Sequence, residues 1–282
     1  MKCYSVLMSV YHKDNPEYLR QSIESIMKQT IKPEQFVIVE DGPLTKALTD
    51  VIGSYVKSNS NLFSIVKLQR NYGLGVALDK GLIVCRNELV ARMDSDDISL
   101  ESRCEKQLKK FEENEALVLL GANIDEFYDD PKKIRTSRIV PSSYEDICKY
   151  IRRRDPFNHP TVMFKKSAVI RCGGYGSLRR RQDFDLFSRM INMGCYAENL
   201  NESLVLFRSN IDNYKRRKSK ESCKSYINVV KNNYKRGYCS LFDLLYVIFA
   251  QEAIRLMPLG MMKIISDNLL RSKNCDGNKR KK

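Results

Sequence analysis

The sequence predicts an α/β fold in which an open, mainly parallel sheet is flanked by helices. Apolar runs of strand length alternate with segments whose apolar residues recur at helical spacing, giving a βαβαβ order as far as Leu68. In addition, two of the predicted strands end in acidic residues. Open α/β folds hold their ligands in a crevice outside the carboxyl ends of the strands, so a functional site is expected there.

Strand and helix signals can be followed in order through the first 193 residues. Apolar runs predict strands at 5–11, 35–39, 62–68, 89–93 and 117–121. Capping residues and helical spacing predict helices over 16–27, 45–57, 75–84, 100–113, 143–154 and 183–193. The alternation fades after the fifth strand, and a polar connection is expected over residues 125–142.

The fourth predicted strand, 89–93, runs directly into Asp94-Ser95-Asp96-Asp97. Grouped carboxylates at a strand end offer the hard oxygen ligands that suit Mg²⁺ or Mn²⁺. A polar turn that caps the next helix is the other interpretation. Three carboxylates within four positions repel one another, however, so a simple turn would gain little from the third.

Three more segments have both a structural and a functional interpretation. Glu40-Asp41-Gly42 is a second acidic strand end, and the loop 71–75 can either form a tight turn or approach a phosphate closely. Asp183 stands where a helix begins, so an N-cap is its ordinary role.

The charge of the chain is unevenly distributed. Residues 208–282 contain 18 Lys or Arg and six Asp or Glu, which gives this segment +12 of the chain's net +15. Nine scattered cysteines without a C-x-x-C pair favour reduced thiols in the cytosol over disulfides or zinc. Two histidines are too few for a His-rich metal centre.

The basic C-terminal segment predicts helices with apolar faces. Helices are expected over 219–235 and from Ser240, and Met257-Pro258 ends the second one; further apolar residues follow at 261–270. The longest apolar run, 244–250, is too short to span a membrane. Apolar faces beside Lys and Arg suit a helix lying among lipid headgroups, and packing on the preceding domain is the alternative. Residues 279–282 are expected to be disordered.

Several motifs together resemble those of the family-two inverting glycosyltransferases, which have the GT-A fold. The motifs occur along this chain in the same order as in that family. They are Ser5 to Tyr11, Glu40-Asp41-Gly42, Asn71 to Gly75, Asp94 to Asp97, Gly173-Gly174-Tyr175 and Gln182 to Asp185. The likeness covers residues 3–210, so we expect a nucleotide-sugar transferase domain over 1–210 and a basic helical extension over 211–282. Within the family, the chain resembles bacterial transferases that build O-antigen or capsule repeat units on a polyprenyl-diphosphate carrier.

The resemblance implies roles for individual residues on the donor side. Tyr11, with Ser9, and Asp41 match positions that hold the uracil base. Asn71 and Gly75 belong to the loop that follows, and they are expected among the nucleotide-sugar contacts. Many relatives have Pro-Thr where this chain has Ser9-Val10.

The resemblance also implies a metal site and a catalytic base. Asp94 completes the D-x-D pattern, Asp96 matches a nucleotide-sugar and metal contact, and Asp97 a metal contact, for Mn²⁺ or Mg²⁺. Asp183 matches the catalytic base, and His159 lies in a segment that lines the acceptor side. Relatives commonly have an acidic residue in place of Gln182.

These matches imply a metal-dependent enzyme that inverts the anomeric centre of its donor. It is expected to transfer a hexose from UDP-galactose or UDP-glucose to a polyprenyl-diphosphate-linked sugar, forming a β-linkage in bacterial surface polysaccharide. The expected location is cytoplasmic, peripheral on the anionic inner face of the cell membrane.

Two other functions were compatible with parts of the sequence. A sugar-phosphate nucleotidyltransferase also has an α/β nucleotide domain, but it is expected to have a longer glycine-rich loop with basic residues, which residues 9–16 lack. A nucleic-acid-binding protein would explain the basic pI. The basic surplus is confined to the C-terminal segment and lacks aromatic stacking platforms, so no nucleic-acid partner is expected.

Overall fold

A single sheet of ten strands organises the described part of the chain, which comprises residues 3–258, 260–261 and 272–273 of a computed structural model. The strands are β1 (Tyr4–Val10), β2 (Gln35–Glu40), β3 (Phe63–Lys67), β4 (Leu89–Met93), β5 (Ile98–Ser99), β6 (Leu117–Phe127), β7 (Thr136–Arg138), β8 (Met163–Lys165), β9 (Tyr196–Arg208) and β10 (Ser272–Lys273). Their order is β10-β7-β6-β8-β4-β1-β2-β3, and β9 pairs with β5 and β6.

Four strands form a parallel half that follows the βαβαβ pattern of the sequence. β1 pairs in parallel with β2 and with β4, and β2 pairs in parallel with β3. Val10 is in register with Glu40, and Met8 is in register with Met93. The carboxyl ends of β1, β2 and β4 therefore meet at one edge of the sheet, as the sequence predicts.

Helices cover both faces of the sheet, which confirms the predicted α/β class. They are α1 (Pro16–Met27), α2 (Lys46–Ser58), α3 (Leu74–Val84), α4 (Arg103–Glu113), α5 (Tyr144–Tyr150), α6 (Lys166–Arg171), α7 (Gln182–Asn192), α8 (Ile211–Lys218), α9 (Lys220–Lys235) and α10 (Leu241–Leu256). The start of α1 shows why these boundaries are readable in sequence. Asn15 Oδ1 accepts hydrogen bonds from the backbone N–H groups of Glu17 (2.8 Å) and Tyr18 (3.3 Å), and Pro16 occupies the first helical position.

The two faces of the sheet bury separate hydrophobic clusters. Because successive side chains of a strand point to opposite faces, Leu7 joins the cluster that includes α3 and α7, whereas Val6 and Met8 join the cluster beneath α1 and α4. Each cluster is formed by residues distant in sequence, so the strand edge that carries the acidic residues is held between two packed layers.

The antiparallel half of the sheet differs from the sequence prediction. β6 continues through Phe127, and β7 follows it, where a polar connection was expected over 125–142. The polar residues are compatible with strand because their side chains pair across strands. Asp125 Oδ1 accepts hydrogen bonds from the hydroxyls of Ser137 and Ser203, both at 2.6 Å, and Glu126 Oε2 accepts one from Thr136 at 2.8 Å.

Two helix boundaries also differ from the sequence prediction. α4 begins at Arg103 rather than near residue 100, because the preceding Ile98–Ser99 pairs with β9. α5 ends at Tyr150 rather than near Arg154, and residues 151–154 form a turn that ends in a bend.

The C-terminal helices pack on the preceding part of the chain through one face. Tyr226, Val229 and Val230 of α9 and Leu244 and Val247 of α10 belong to the same buried cluster as α7. Polar contacts add to this packing: the Tyr226 hydroxyl donates to the carbonyl oxygen of Arg153 at 2.9 Å, and Asp243 pairs with the Arg153 guanidinium. The packing alternative therefore describes α9 and the inner face of α10.

The outer face of α10 is different, because it leaves large apolar side chains in solvent. Phe249 is 79% exposed and Phe242 is 67% exposed, and the same face carries Leu241, Leu245, Tyr246 and Leu256. Within the described residues, no helix combines the length and apolar content needed to cross a bilayer. Met261 is described and is also exposed, whereas the expected apolar residues at 262–270 and the basic residues at 279–282 lie outside the described residues.

Candidate active site

A cavity of about 1050 Å³ opens at the edge where β1, β2 and β4 end. It collects most of the residues that the sequence singled out, although they are spread over 175 positions of the chain. Those that line it are Ser9, Tyr11, Asp41, Asn71, Asp94, Asp96, His159 and Asp183. Asp97 lies just behind this wall, fully buried.

Gly75 does not line the cavity, although the sequence placed it among the nucleotide contacts. It is buried in the first turn of α3, where a Cβ atom would stand 2.7 Å from the carbonyl oxygen of Gly176 and 3.3 Å from the side chain of Gln182. Glycine is therefore required by close packing between α3 and the start of α7.

Gly174 meets the same kind of constraint in the Gly173-Gly174-Tyr175 motif. Its φ is +67°, and a Cβ atom there would lie 2.5 Å from Asp79 Oδ1. The Asp79 carboxylate accepts hydrogen bonds from the backbone N–H groups of Tyr175 (2.8 Å) and Gly176 (3.0 Å). This motif fastens the loop 173–176 to α3, which positions the wall of the cavity.

Asp41 is fixed by the loop that follows β3. Its Oδ1 accepts a hydrogen bond from the Tyr72 N–H at 2.8 Å, and its Oδ2 accepts one from the Gly73 N–H at 3.0 Å. From the sequence alone, the backbone amides of this loop are candidates for binding a phosphate. Two of them are already bound to a carboxylate, so the loop orients Asp41 instead.

The acidic stretch after β4 forms a compact group of carboxylates. Ligand oxygens of Asp94, Asp96 and Asp97 all lie within 4.8 Å of one another. Asp94 is paired with the guanidinium of Arg92, which is 1% exposed. Asp97 Oδ1 accepts a hydrogen bond from the Arg208 backbone N–H at 2.9 Å, whereas its Oδ2 is buried without a partner in the described part of the chain.

The electrostatics of this group fit a divalent cation. Burial and the negative charge of Asp94 raise the pKa of Asp96 to about 6, and burial with the charges of Asp96 and Asp94 raises the pKa of Asp97 well above its ordinary value. A nearby positive charge would favour the ionised form of these carboxylates and so lower their pKa values. The unpartnered Asp97 oxygen and the all-oxygen donor set suit Mn²⁺ or Mg²⁺.

Asp183 is not the N-cap of α7. Arg181 occupies that position, with φ +61° and no side-chain capping hydrogen bond, and Asp183 lies in the first turn, half-buried on the cavity wall. In the described residues its carboxylate makes no hydrogen bond. The N-cap interpretation of Asp183 is therefore wrong, and its carboxylate faces the cavity without a hydrogen-bond partner among the described residues.

His159 lines the cavity close to Arg92. Its Nε2 lies 3.0 Å from the hydroxyl oxygen of Tyr175, and both side chains are buried. Burial and the nearby charge of Arg92 lower the pKa of His159 well below its ordinary value. The imidazole is neutral at pH 7, so it can donate or accept a hydrogen bond but offers no positive charge to an anionic ligand.

Two carboxylates in the cavity were missed by sequence reasoning. Asp14 Oδ2 accepts hydrogen bonds from the Tyr11 N–H (3.1 Å) and from the Ser95 hydroxyl (2.8 Å), and burial raises the pKa of Asp14 to about 7. Burial and the charge of Asp183 raise the pKa of Asp155 to about 7 as well. Asp14 resembles any turn residue before a helix, and Asp155 follows a run of three arginines, so neither has a distinctive local pattern.

The cavity is lined by more cations than carboxylates. The cations are Lys13, Arg92, Arg138, Arg153, Arg154, Arg179, Arg180, Arg181, Arg216 and Arg217. The acidic residues are Asp14, Asp41, Asp94, Asp96, Asp155, Asp183 and Glu221. A site with a carboxylate group at one strand end and a surplus of arginines suits a ligand that carries phosphates.

The profile of Glycosyl transferase family 2 matches residues 5–186, which includes the strand ends that build this cavity. The chain belongs to glycosyl transferase family 2. Family membership makes it a glycosyltransferase, which confirms the expected class of enzyme over the nucleotidyltransferase alternative.

Relatives within family 2 are similar along nearly the whole chain. A UDP-Gal:alpha-D-GlcNAc-diphosphoundecaprenol beta-1,3-galactosyltransferase of Escherichia coli is 35% identical over 268 residues, covering 95% of this chain and 96% of the relative. The amylovoran biosynthesis glycosyltransferase AmsE of Erwinia amylovora is 35% identical over 262 residues, covering 93% and 97%.

A solved structure supports the GT-A-like fold. The mannosyltransferase PcManGT of Pyrobaculum calidifontis, in complex with GDP-Man and Mn²⁺, superimposes with a TM-score of 0.62 over 94% of this chain and 75% of that protein. Only 12% of the residues are identical, so the likeness is one of fold.

We predict that Mn²⁺ stabilises this family 2 protein more at pH 7.5 than at pH 5. Because the pKa of Asp96 is raised to about 6 and that of Asp97 is also raised, the folded protein binds more protons than the unfolded chain between about pH 4 and pH 6. Without a cation, the free energy of unfolding therefore falls as the pH rises through this window. A cation replaces those protons, so the rise in melting temperature on adding Mn²⁺ should grow with pH.

The matched variants are Asp96→Asn and Asp41→Asn, which remove one carboxylate inside and one outside the acidic stretch. Differential scanning calorimetry with and without Mn²⁺ should show the stabilisation lost in the first variant and kept in the second. Equal stabilisation at both pH values, or its survival in Asp96→Asn, would contradict the metal assignment.

Proposed function

We propose that this glycosyltransferase moves a hexose from UDP-galactose or UDP-glucose to the sugar of a polyprenyl-diphosphate-linked acceptor, in the synthesis of a bacterial surface polysaccharide. The observation that carries the proposal is the Escherichia coli relative, which aligns with 95% of this chain and is named for UDP-Gal and a GlcNAc-diphosphoundecaprenol. The cavity supports it by bringing together the groups that such a transfer requires.

The donor nucleotide is proposed to lie against the ends of β1 and β2. Ser9, Tyr11 and Asp41 line this part of the cavity, and the loop amides hold the Asp41 carboxylate in one orientation. Each carboxylate oxygen can accept more than one hydrogen bond, so Asp41 can still accept the imide N–H of uracil. Asn71 is fixed beside it, with its side-chain amide 3.4 Å from the Asp41 carbonyl oxygen.

The sugar and the diphosphate of the donor are proposed to lie over the acidic stretch. Asp94 and Asp96 line the cavity and can accept hydrogen bonds from hydroxyl groups. When bound at Asp96 and Asp97, Mn²⁺ or Mg²⁺ supplies the positive charge that stabilises a departing diphosphate. Arg216 adds a protein cation there, since its charge opposes the rise in the pKa of Asp96.

Asp183 is the proposed catalytic base. Its free carboxylate can take the proton of the acceptor hydroxyl while that oxygen attacks the anomeric carbon and the bond to the diphosphate breaks. Direct displacement inverts the anomeric centre, so an α-linked donor gives a β-linked product. His159, neutral and close to the same wall, is proposed to contact the acceptor sugar.

The outer face of α10 is proposed to hold the enzyme on the anionic inner face of the cell membrane. Leu241, Leu245 and Phe249 of this face are exposed, and the helix is followed by a segment rich in Lys and Arg. An amphipathic helix of this kind lies in the plane of the headgroups rather than across the bilayer.

The proposed reaction is tested by assaying the full-length protein with a panel of nucleotide sugars and a synthetic GlcNAc-diphosphate-lipid acceptor. We expect UDP-galactose or UDP-glucose to be the best donor and the new linkage to be β. Transfer only from a non-uridine donor, or an α-linked product, would contradict the proposal.

Asp183→Asn should lower the transfer rate by a factor on the order of 10² or more, because the amide keeps the shape of the side chain but accepts no proton. UDP affinity and melting temperature should change little. The control is Asp185→Asn on the same helix, which lies outside the cavity and pairs with Arg189 at 3.0 Å. It should keep a near-normal rate and lose about 1–3 kcal/mol of stability, because both side chains of this pair are largely buried. Near-normal transfer by Asp183→Asn would exclude it as the base.

Replacing Leu245 and Phe249 by Ser should release the protein from anionic vesicles, because both side chains are exposed on α10 and each contributes roughly 1.5–3 kcal/mol when buried. We expect at least a tenfold loss in co-sedimentation at equal protein stability. Ile83→Ser on α3, where Ile83 is 68% exposed, is the matched control and should bind like the unaltered protein. Equal vesicle binding by all three proteins would contradict the proposed membrane contact of α10.

A further inference from the structure

The turn after α5 carries an arginine that is held rigidly against α10. The Nε of Arg153 pairs with Asp243 Oδ1, and its guanidinium carbon lies 4.8 Å from the ring centroid of Tyr246 and 5.2 Å from that of Phe242. The Arg153 carbonyl oxygen accepts a hydrogen bond from the Tyr226 hydroxyl. This turn is thus fixed between α9 and α10 at the wall of the cavity.

The next residue, Arg154, contributes a guanidinium group to the cavity wall. Its side chain is half-buried and lines the cavity, and its guanidinium carbon lies 5.3 Å from the ring centroid of Tyr150. Among the described residues no carboxylate pairs with it. A half-buried guanidinium without an anionic partner can bind an anionic group of a ligand that enters the cavity.

Four of the cavity's cations form two groups, each near a different tyrosine. Arg180 and Arg216 lie near Tyr11, where their charges oppose the rise in the Tyr11 pKa that burial and Asp14 produce. Arg154 and Arg181 form the second group, near Tyr226. Burial raises the pKa of Tyr226 to about 12, and the charges of Arg181 and Arg154 oppose that rise.

Arg181 completes the second group. Its guanidinium carbon is 5.0 Å from the ring centroid of Tyr226, and its Nε is buried without a partner in the described part of the chain. Arg181 also stands two residues before the proposed base, Asp183. The second group of cations is therefore close to the place where the acceptor hydroxyl must lie, whereas the donor diphosphate is assigned to the first group.

α10 provides an apolar route from this second group to the surface. The helix lines the cavity with Val247, Ala250, Gln251 and Ile254, and it exposes Leu245 and Phe249 on the opposite side. A ligand with an anionic head and a long apolar chain matches this arrangement, since the head meets arginines and the chain meets α10.

We propose that Arg154, together with Arg181, binds the diphosphate of the polyprenyl-diphosphate-linked acceptor, and that its isoprenoid chain leaves the cavity across α10. Arg153 positions this site by fastening the turn to α10. The inference rests on the proposed function and adds to it a subsite that recognises the diphosphate of the acceptor rather than its sugar.

The test compares Arg154→Gln with Arg152→Gln in the full-length protein. Arg152 is exposed, lies two residues earlier on the same turn and does not line the cavity, so both variants lose one positive charge from the same segment. Calorimetry measures binding of farnesyl diphosphate and, separately, of UDP. Initial rates are measured with GlcNAc-diphosphate-lipid and GlcNAc-monophosphate-lipid acceptors of equal chain length.

Arg154→Gln should weaken farnesyl diphosphate binding and raise the KM for the diphosphate acceptor by about tenfold or more. It should also reduce the preference for diphosphate over monophosphate acceptors, while UDP affinity and the KM for the donor stay unchanged. Arg152→Gln should match the unaltered protein in every measurement. An Arg154→Lys variant should recover part of the lost affinity.

This assignment would be overturned if farnesyl diphosphate bound the Arg154→Gln variant as tightly as the unaltered protein. It would also be overturned if farnesyl diphosphate bound neither protein. The calorimetric result does not depend on turnover, so it decides the assignment even where no transfer is detected. Absence of transfer to any diphosphate-linked acceptor by the unaltered protein would instead overturn the proposed function.

Discussion

A group of charges buried together at the end of β4 is the constraint on which the rest of the site depends. Arg92, Arg103 and Asp97 are all fully buried, and an uncompensated charge in a protein interior costs several kcal/mol. Arg92 is compensated by Asp94, and the Arg103 guanidinium donates to the Arg92 carbonyl oxygen at 2.7 Å and to Gln107 Oε1 at 3.1 Å. Arg103 thus fixes the backbone at Arg92, and Arg92 in turn holds Asp94 at the end of β4.

Arg208 transmits this constraint to the second half of the chain. Its backbone N–H donates to Asp97 Oδ1, its Nε donates to the Asp96 carbonyl oxygen at 3.0 Å, and its guanidinium lies 3.8 Å from the Tyr18 ring centroid. Because Arg208 ends β9 and α8 begins three residues later, the acidic stretch also fixes where the C-terminal helices start. The acidic stretch and the end of β9 are thus parts of one packed arrangement.

Local patterns predict the parts of this arrangement that are formed by neighbouring residues. The apolar run of β4, the acidic stretch after it and the caps of α1 and α10 are all readable, because each depends on residues within a few positions. Pairing between distant segments is not readable in this way. In the sequence Asp125 resembles a loop residue, but in the fold it accepts a hydrogen bond from Ser203 of β9. Asp155 resembles a turn residue in the sequence, but in the fold α7 places Asp183 near it. Gly75 resembled a ligand contact because its requirement for close packing comes from Gly176, a hundred residues away.

The proximity of Asp155 to Asp183 bears on the proposal that one cavity holds both a catalytic base and an anionic acceptor. Burial and the charge of Asp183 raise the pKa of Asp155 to about 7, so Asp155 keeps its proton to a higher pH than an exposed carboxyl group does. A protonated Asp155 adds no negative charge to the cavity and therefore does not repel a diphosphate at the proposed subsite of Arg154 and Arg181. As the pH rises through this pKa, Asp155 becomes charged, and the same cations must then offset its charge as well as that of the proposed ligand. A surplus of arginines in the cavity is therefore what the proposal of a carboxylate base beside an anionic acceptor requires.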